Sequence, residues 1–158
     1  MSEGMWLDAV EARAWRNYVE LIGELAAALE DDLVKSSGLT LGDYQVLVNL
    51  SEAPDNRLRM CDLAVRLQLS PSGLTRRLDG LVRSGLVERT ASPDDRRVTL
   101  AALTDTGMDA LRAAAPDHVA SVRRQMLDHP TREQVVALGD ALVAIRTGRA
   151  RSADRAAV

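Results

Sequence analysis

Two short runs hold the side chains best suited to chemistry. Ser70, Ser72, Thr75, Arg76 and Arg77 crowd residues 70–77, and Asp95, Arg96 and Arg97 follow about twenty residues later. Hydroxyls and guanidinium groups at this density suit contact with a polyanion, because arginine presents a planar fork of donors that matches phosphate and the O6 and N7 edge of guanine. Catalytic sets are missing. No Gly-rich loop follows a strand, no Ser, His and acid set can be picked out, and the single Cys61 leaves no second thiol for a disulfide or a zinc cluster. His118 and His129 stand 11 residues apart, too far for a pair of ligands on one helix face. Neither a metal nor a cofactor is expected.

Charge along the chain points the same way. The net charge of -3 hides an uneven distribution: residues 1–56 hold 3 basic and 11 acidic groups, residues 57–97 hold 9 and 5, and residues 98–158 hold 8 and 7. A basic middle beside an acidic flank suits a chain whose centre meets a polyanion while its ends meet something else, a second copy of itself included. A length of 158 residues fits one domain, or one domain with an oligomerisation extension. No apolar run approaches the 18 residues needed to span a bilayer, and residues 1–11 lack the pattern of a secretory signal, so a soluble cytoplasmic protein with no membrane partner is expected.

The elements that must position these residues follow from periodicity and capping. Leu7, Val10, Ala14, Tyr18, Ile22, Leu25, Leu29 and Leu33 recur at helical steps and predict a first helix of about eight turns that ends at Ser36, Ser37 and Gly38. Thr40 with Asp43 opens a second, whose buried face is Leu41, Tyr44, Leu47 and Leu50. Ala53 to Asn56 form a loop, and Met60, Leu63, Ala64 and Leu67 define a third helix over about 59–67. Ser70 followed by Pro71 starts the fourth, over about 70–84, with Leu74, Leu78, Leu81 and Val82 facing inward and Gly85 as its left-handed stop. The short turn between them makes a helix-turn-helix.

Leu86–Thr90 and Val98–Leu103 then read as strands joined by the turn formers Ser92, Pro93, Asp94 and Asp95. Thr104 and Asp105 open a helix carrying Met108, Leu111, Ala115, Val119, Val122 and Met126, which Pro116 should kink or interrupt. The last helix starts at Thr131, with Gln134 completing a capping box, and is expected to bury Val135, Leu138, Leu142 and Ile145. The fold class is mainly α with a small β-hairpin wing: a winged helix-turn-helix flanked by one long N-terminal helix and two C-terminal helices.

The run RLRMCDLAVRLQLSPSGLTRRLDGLVRSGLVERTASPDDRRVTLAALTDTG, with its wing signature Asp95-Arg96-Arg97 followed by LAALT, resembles the MarR family of bacterial transcriptional regulators. The similarity extends over roughly residues 6–146. It implies a sequence-specific, double-stranded DNA-binding homodimer whose terminal helices interlock. On that pattern the chain divides into a dimerisation helix (1–36), a DNA-binding lobe (37–104), C-terminal dimerisation helices (105–148) and a disordered tail (149–158). A repressor on a near-palindromic operator, with half-sites about one helical turn or roughly 10 bp apart, is the expected activity.

The resemblance also implies roles. Ser72, Thr75 and Arg76 fall at positions that contact bases in the major groove; Ser70 is a helix cap that can also touch phosphate, and Arg77 meets DNA backbone or an acidic neighbour. Arg97 matches the arginine that enters the minor groove, Asp95 the residue that orients it, and Arg96 assists at phosphate. Arg57 and Arg59, at the start of the third helix, are candidate phosphate contacts or ordinary solubilising charges. Members typically release DNA when a small, often aromatic and anionic effector binds near the dimer helices. Trp15, Arg16 and Tyr18 offer two aromatic surfaces and a fixed cation for one, in competition with plain interface packing. His118 could tune that region with pH or be an ordinary packed residue, and Cys61 is expected to be a small buried helix residue rather than a reactive thiol. Winged helices also serve as dimerisation parts of small-molecule methyltransferases, but this chain leaves no length for a cofactor domain. The remaining alternative is a winged-helix protein-interaction module without specific DNA binding, in which the wing arginines would be dispensable.

Overall fold

Side-chain caps set most helix starts, and the computed structural model, which describes residues 6–93 and 95–156, shows how. Helix α1 (Ala9–Ser37) begins at Asp8, whose carboxylate accepts from the Val10 and Glu11 N–H groups while the Glu11 carboxylate accepts from the Asp8 N–H. Helix α2 (Leu41–Ser51) is capped by Thr40, whose Oγ1 accepts from the Asp43 N–H at 3.1 Å. Glu30 of α1 adds its carboxylate to the same end, 2.5 Å from the Leu41 N–H. Helices α3 (Met60–Arg66) and α4 (Pro71–Arg83) form the helix-turn-helix, joined by a turn in which Gln68 takes a left-handed φ of 54°. Gly85, at φ 72°, turns the chain out of α4 into the hairpin, a conformation that a Cβ would strain.

Strands β2 (Val87–Ala91) and β3 (Thr99–Leu103) make the wing, with Val87 opposite Leu103 and Ala91 opposite Thr99. Asp94, expected in the wing turn, lies outside the described residues. A third strand, β1 (Arg57–Arg59), pairs antiparallel with β3 to give the order β1-β3-β2. This corrects the expectation that Arg57 and Arg59 open the third helix. Three residues are too few to show a period of two, and the pairing that defines the strand comes from residues more than forty positions away.

The core of the unit up to Ser121 gathers Tyr44, Val46, Leu47 and Leu50 of α2, Leu63 of α3, Leu74, Leu78 and Leu81 of α4, Val87 and Ala101 of the wing, and Leu111 and Ala114 of α5. The inward residues expected for α2 to α4 are buried or half-buried, Val46 joining them. Helix α5 (Asp105–Val122) is opened by Thr104, whose hydroxyl donates to the Gly85 carbonyl at 2.7 Å and accepts from the Gly107 N–H at 2.9 Å. The helix continues through Pro116, so of the expected kink or interruption the interruption does not occur. Pro116 sits on the exposed side, where the carbonyl one turn earlier that loses its partner can bond to water. Ser121, buried on α5, donates to Asp32 of α1 at 2.6 Å.

From Val122 onward the chain forms a second unit. A single wide turn at Arg123–Leu127 precedes α6 (Arg132–Ala156), and Thr131 and Gln134 exchange hydrogen bonds there as a capping box. The stripe expected to be buried is not: Val135 is half-buried and Leu138, Leu142 and Ile145 are exposed. The helix also continues to Ala156, where a disordered tail from 149 was expected. Alanine and arginine are strong helix formers, and no proline follows Pro130 to stop them. No helix among the described residues is long and apolar enough to cross a membrane.

Candidate nucleic-acid interface

Helix α4 separates its two faces cleanly. Leu74, Leu78 and Leu81 are buried, which turns Ser72, Thr75 and Arg76 outward together on consecutive turns of the opposite face. Ser70 holds the N-terminus: its Oγ accepts from the Gly73 N–H at 3.1 Å and lies 3.2 Å from the Ser72 Oγ. The Thr75 hydroxyl donates to the Pro71 carbonyl at 2.9 Å, so in this rotamer it offers outward only acceptor lone pairs and a methyl group. Such a group can accept from a base amino group or pack on a thymine methyl. Arg76 is exposed, with no ion pair to it among the described residues. The positive end of the helix dipole adds to the field at this surface.

Arg77 goes elsewhere. Its guanidinium lies against α2, 3.5 Å from the Asp43 carboxylate, and so close over Gly42 that any Cβ there would overlap it. The structure therefore takes Arg77 off the open face and makes it a tie between α2 and α4, with Thr40, Gly73 and Arg76 around the same shallow cleft.

In the wing, the Asp95 carboxylate accepts from the Arg97 main-chain N–H at 2.9 Å, and the Asp95 carbonyl accepts from the Val98 N–H at 2.9 Å. Asp95 thus orients Arg97 through the backbone of the turn, not by pairing with its guanidinium. Arg96 and Arg97 are both exposed. Arg97 shares an open groove with Arg59 of β1, Cys61, Thr75 of α4 and Arg89 of β2, a lining that holds three arginines and no acid. Arg57 is exposed beside it in sequence, its Nε bonded to the Asp55 carbonyl at 3.3 Å.

Two features of this surface were not legible from the sequence. Cys61 is exposed at the groove, correcting the expected burial, because α3 turns Leu63 and Ala64 inward and leaves the preceding two positions outside. Arg89 spans from β2 to α4, donating to the Thr75 carbonyl at 3.1 Å and to Asp79 at 2.8 Å. No local pattern announces a pairing of that kind.

The candidate effector residues do not converge within one chain. Trp15 and Tyr18 lie in ring contact, centroids 6.0 Å apart, exposed on α1 with Arg16. His118 instead packs on Tyr44 with centroids 4.5 Å apart. It lies within one turn of Ser121, which meets Asp32, and Asp32 is roughly 25 Å along α1 from Trp15. Desolvation lowers the His118 pKa and raises that of Tyr44, and the shielded Nδ1 of His118 has no hydrogen-bond partner. Among the described residues, no group of three or more His, Cys, Asp or Glu is placed to hold a metal ion.

With this geometry in hand, comparison with known proteins is specific. A family model described as the MarR family matches residues 37–98. The crystal structure of AbsC, a MarR family transcriptional regulator from Streptomyces coelicolor, is similar with a TM-score of 0.84 and 40% identity, over 90% of this chain and 96% of that one. Sco3205, a MarR family regulator from the same organism solved in complex with DNA, gives a TM-score of 0.84 and 37% identity over 90% of each chain. Among curated proteins, the transcriptional repressor YetL of Bacillus subtilis (strain 168) is 33% identical over 106 residues, 65% of this chain. That match spans 64% of YetL, a little under two thirds of its length.

Proposed function

The chain belongs to the MarR family of transcriptional regulators, a family of regulators rather than enzymes, and from that premise we propose that it is a cytoplasmic homodimeric repressor that binds a near-palindromic DNA operator. The observation that carries this reading is the groove shared by Thr75 of α4 and Arg97 of the wing. Its cationic lining opens between a base-reading helix face and a groove-reaching hairpin. Thr75, Arg76 and Ser72 read bases; Arg97 enters the minor groove; Arg57, Arg59 and Arg96 meet phosphate. Sco3205 was solved on DNA and YetL is named a repressor, which supports both halves of the proposal.

A second copy of the chain supplies the symmetry. Val10, Trp15 and Tyr18 of α1, with Trp6 just before it, are 50–86% exposed, an apolar surface of the kind a dimer interface covers. The effector is a small aromatic anion met by Trp15, Tyr18 and Arg16, and it releases DNA by favouring a different spacing of the two lobes. A preference of about 1–3 kcal/mol between spacings changes operator affinity 5- to 150-fold.

Selection of bound fragments from a randomised duplex pool tests the proposal. A near-palindrome with half-sites roughly 10 bp apart is the expected result. Failure to enrich any sequence at moderate salt sinks it.

A further inference from the structure

Strand alternation calls for an apolar side chain at position 89. Arg89 pairs across the hairpin with Ala101, which pairs in turn with Leu58, and it follows buried Val87 by two residues. Its side chain therefore leaves the sheet on the core-bearing face, but at an open margin where about a third of it, 32%, stays exposed, so what its partners fix is the course of a long flexible stem and not a buried charge. Arg89 is paired twice. One nitrogen, Nη2, donates to the Thr75 main-chain carbonyl at 3.1 Å and to Asp79 Oδ1 at 2.8 Å, so it bridges two successive turns of α4. The carbonyl has a second lone pair to offer beyond its helical hydrogen bond.

Resting on the DNA-binding reading above, we propose that Arg89 is a positioning residue that fixes the angle between the recognition helix and the wing. The tether is attached at Thr75, the turn of α4 that faces the groove, and not at either end of the helix. Beyond Arg89 the hairpin runs on to Arg97, a lever of about four residues or roughly 13 Å. A swing of about 10° at the tether moves the Arg97 guanidinium by about 2 Å. That exceeds the roughly 0.5 Å range of a good hydrogen bond and is about a third of the width of a minor groove. Arg89 need not touch DNA to matter: it sets whether Arg97 arrives while Thr75 and Arg76 are seated.

The test is a double-mutant cycle on the full-length dimer, using the duplex that the wild-type protein selects from a randomised pool. Arg97→Ala should weaken binding about tenfold in the wild type but less than about twofold when Arg89→Gln has already released the wing. Arg89→Gln should lose hydroxyl-radical protection at the minor-groove positions while guanine N7 in the major groove stays protected from dimethyl sulfate. Arg89→Lys, which retains a donor of nearly the same reach, should restore the tenfold Arg97 effect. Should Arg89→Gln fail to fold by circular dichroism, Asp79→Ala removes the shorter, charged half of the tether from the more exposed helix side and should reduce the Arg97 effect in the same direction. Equal factors for Arg97→Ala in both backgrounds would overturn the positioning role and leave the DNA-binding reading standing. If the wild-type protein selects no duplex, both fall together.

Discussion

Leu78 and Ile145 are both branched aliphatic residues on the apolar stripe of a helix, yet Leu78 is fully buried and Ile145 is 57% exposed. The same contrast separates their regions. In the winged lobe, every inward stripe of α2, α3 and α4 finds a partner within the chain, and the polar residues that remain outside are those that suit DNA. Along the first half of α1 and most of α6 the stripes are bare. A helical period tells which residues share a face, but not whether the cover comes from the same chain. The lobe carries its own core; the first half of α1 and most of α6 leave their apolar residues exposed.

The largest effect should come from breaking the self-contained side. Leu78→Ala removes a fully buried side chain and should cost about 2–5 kcal/mol in chemical denaturation, with operator binding lost as the lobe unfolds. Equal stability for this variant and Ile145→Ala would erase the distinction.

On the exposed side, Val10→Asp with Ile22→Glu should act on association. Each of these exposed residues contributes about 1.5–3 kcal/mol if covered, and a two-fold interface counts each twice, so dimerisation should weaken by at least about ten-thousandfold. Sedimentation at micromolar concentration should show monomer, with the helices of the lobe intact by hydrogen exchange. Persistence of the dimer would place its interface elsewhere.

A smaller change sharpens the lobe itself. Arg97→Ala should reduce operator affinity about tenfold and lower the slope of log affinity against log salt by about one per subunit, with the dimer unaffected. An unaltered slope would take Arg97 off the DNA.

The smallest effect is a pH dependence. Desolvation holds the His118 pKa below its ordinary value of about 6.5, so between that value and the folded pKa the unfolded chain binds a proton that the folded one does not. Stability is therefore unaffected well above pH 6.5 and falls as pH drops below it. His118→Gln should flatten the acid limb of the melting temperature against pH, and an identical limb in the variant would assign the loss to other groups.

Much of this was legible beforehand because the signals are local. Thr40, Ser70 and Thr131 cap their helices through N–H groups three residues on, and Gly85 turns left-handed two residues past the end of its helix. Where the local rule misled, a distant partner or its lack was the cause. Pro116 was tolerated because its side of α5 meets water, and β1 exists only because β3 is there to pair with it.

By itself the sequence determined the order of helices and hairpin, their caps, the inward face of the lobe and the outward set Ser72, Thr75, Arg76 and Arg97, since each follows from contacts within about one helical turn or one strand repeat. Only the tertiary structure decided what the remaining arginines and Cys61 do. Arg77 is withdrawn to Asp43 across 34 residues, Arg89 is tied to Thr75 and Asp79 across 14 and 10, and Cys61 is left facing the groove. A guanidinium on a long flexible stem reaches whichever acceptor the fold brings near, and sequence spacing does not record which one that is.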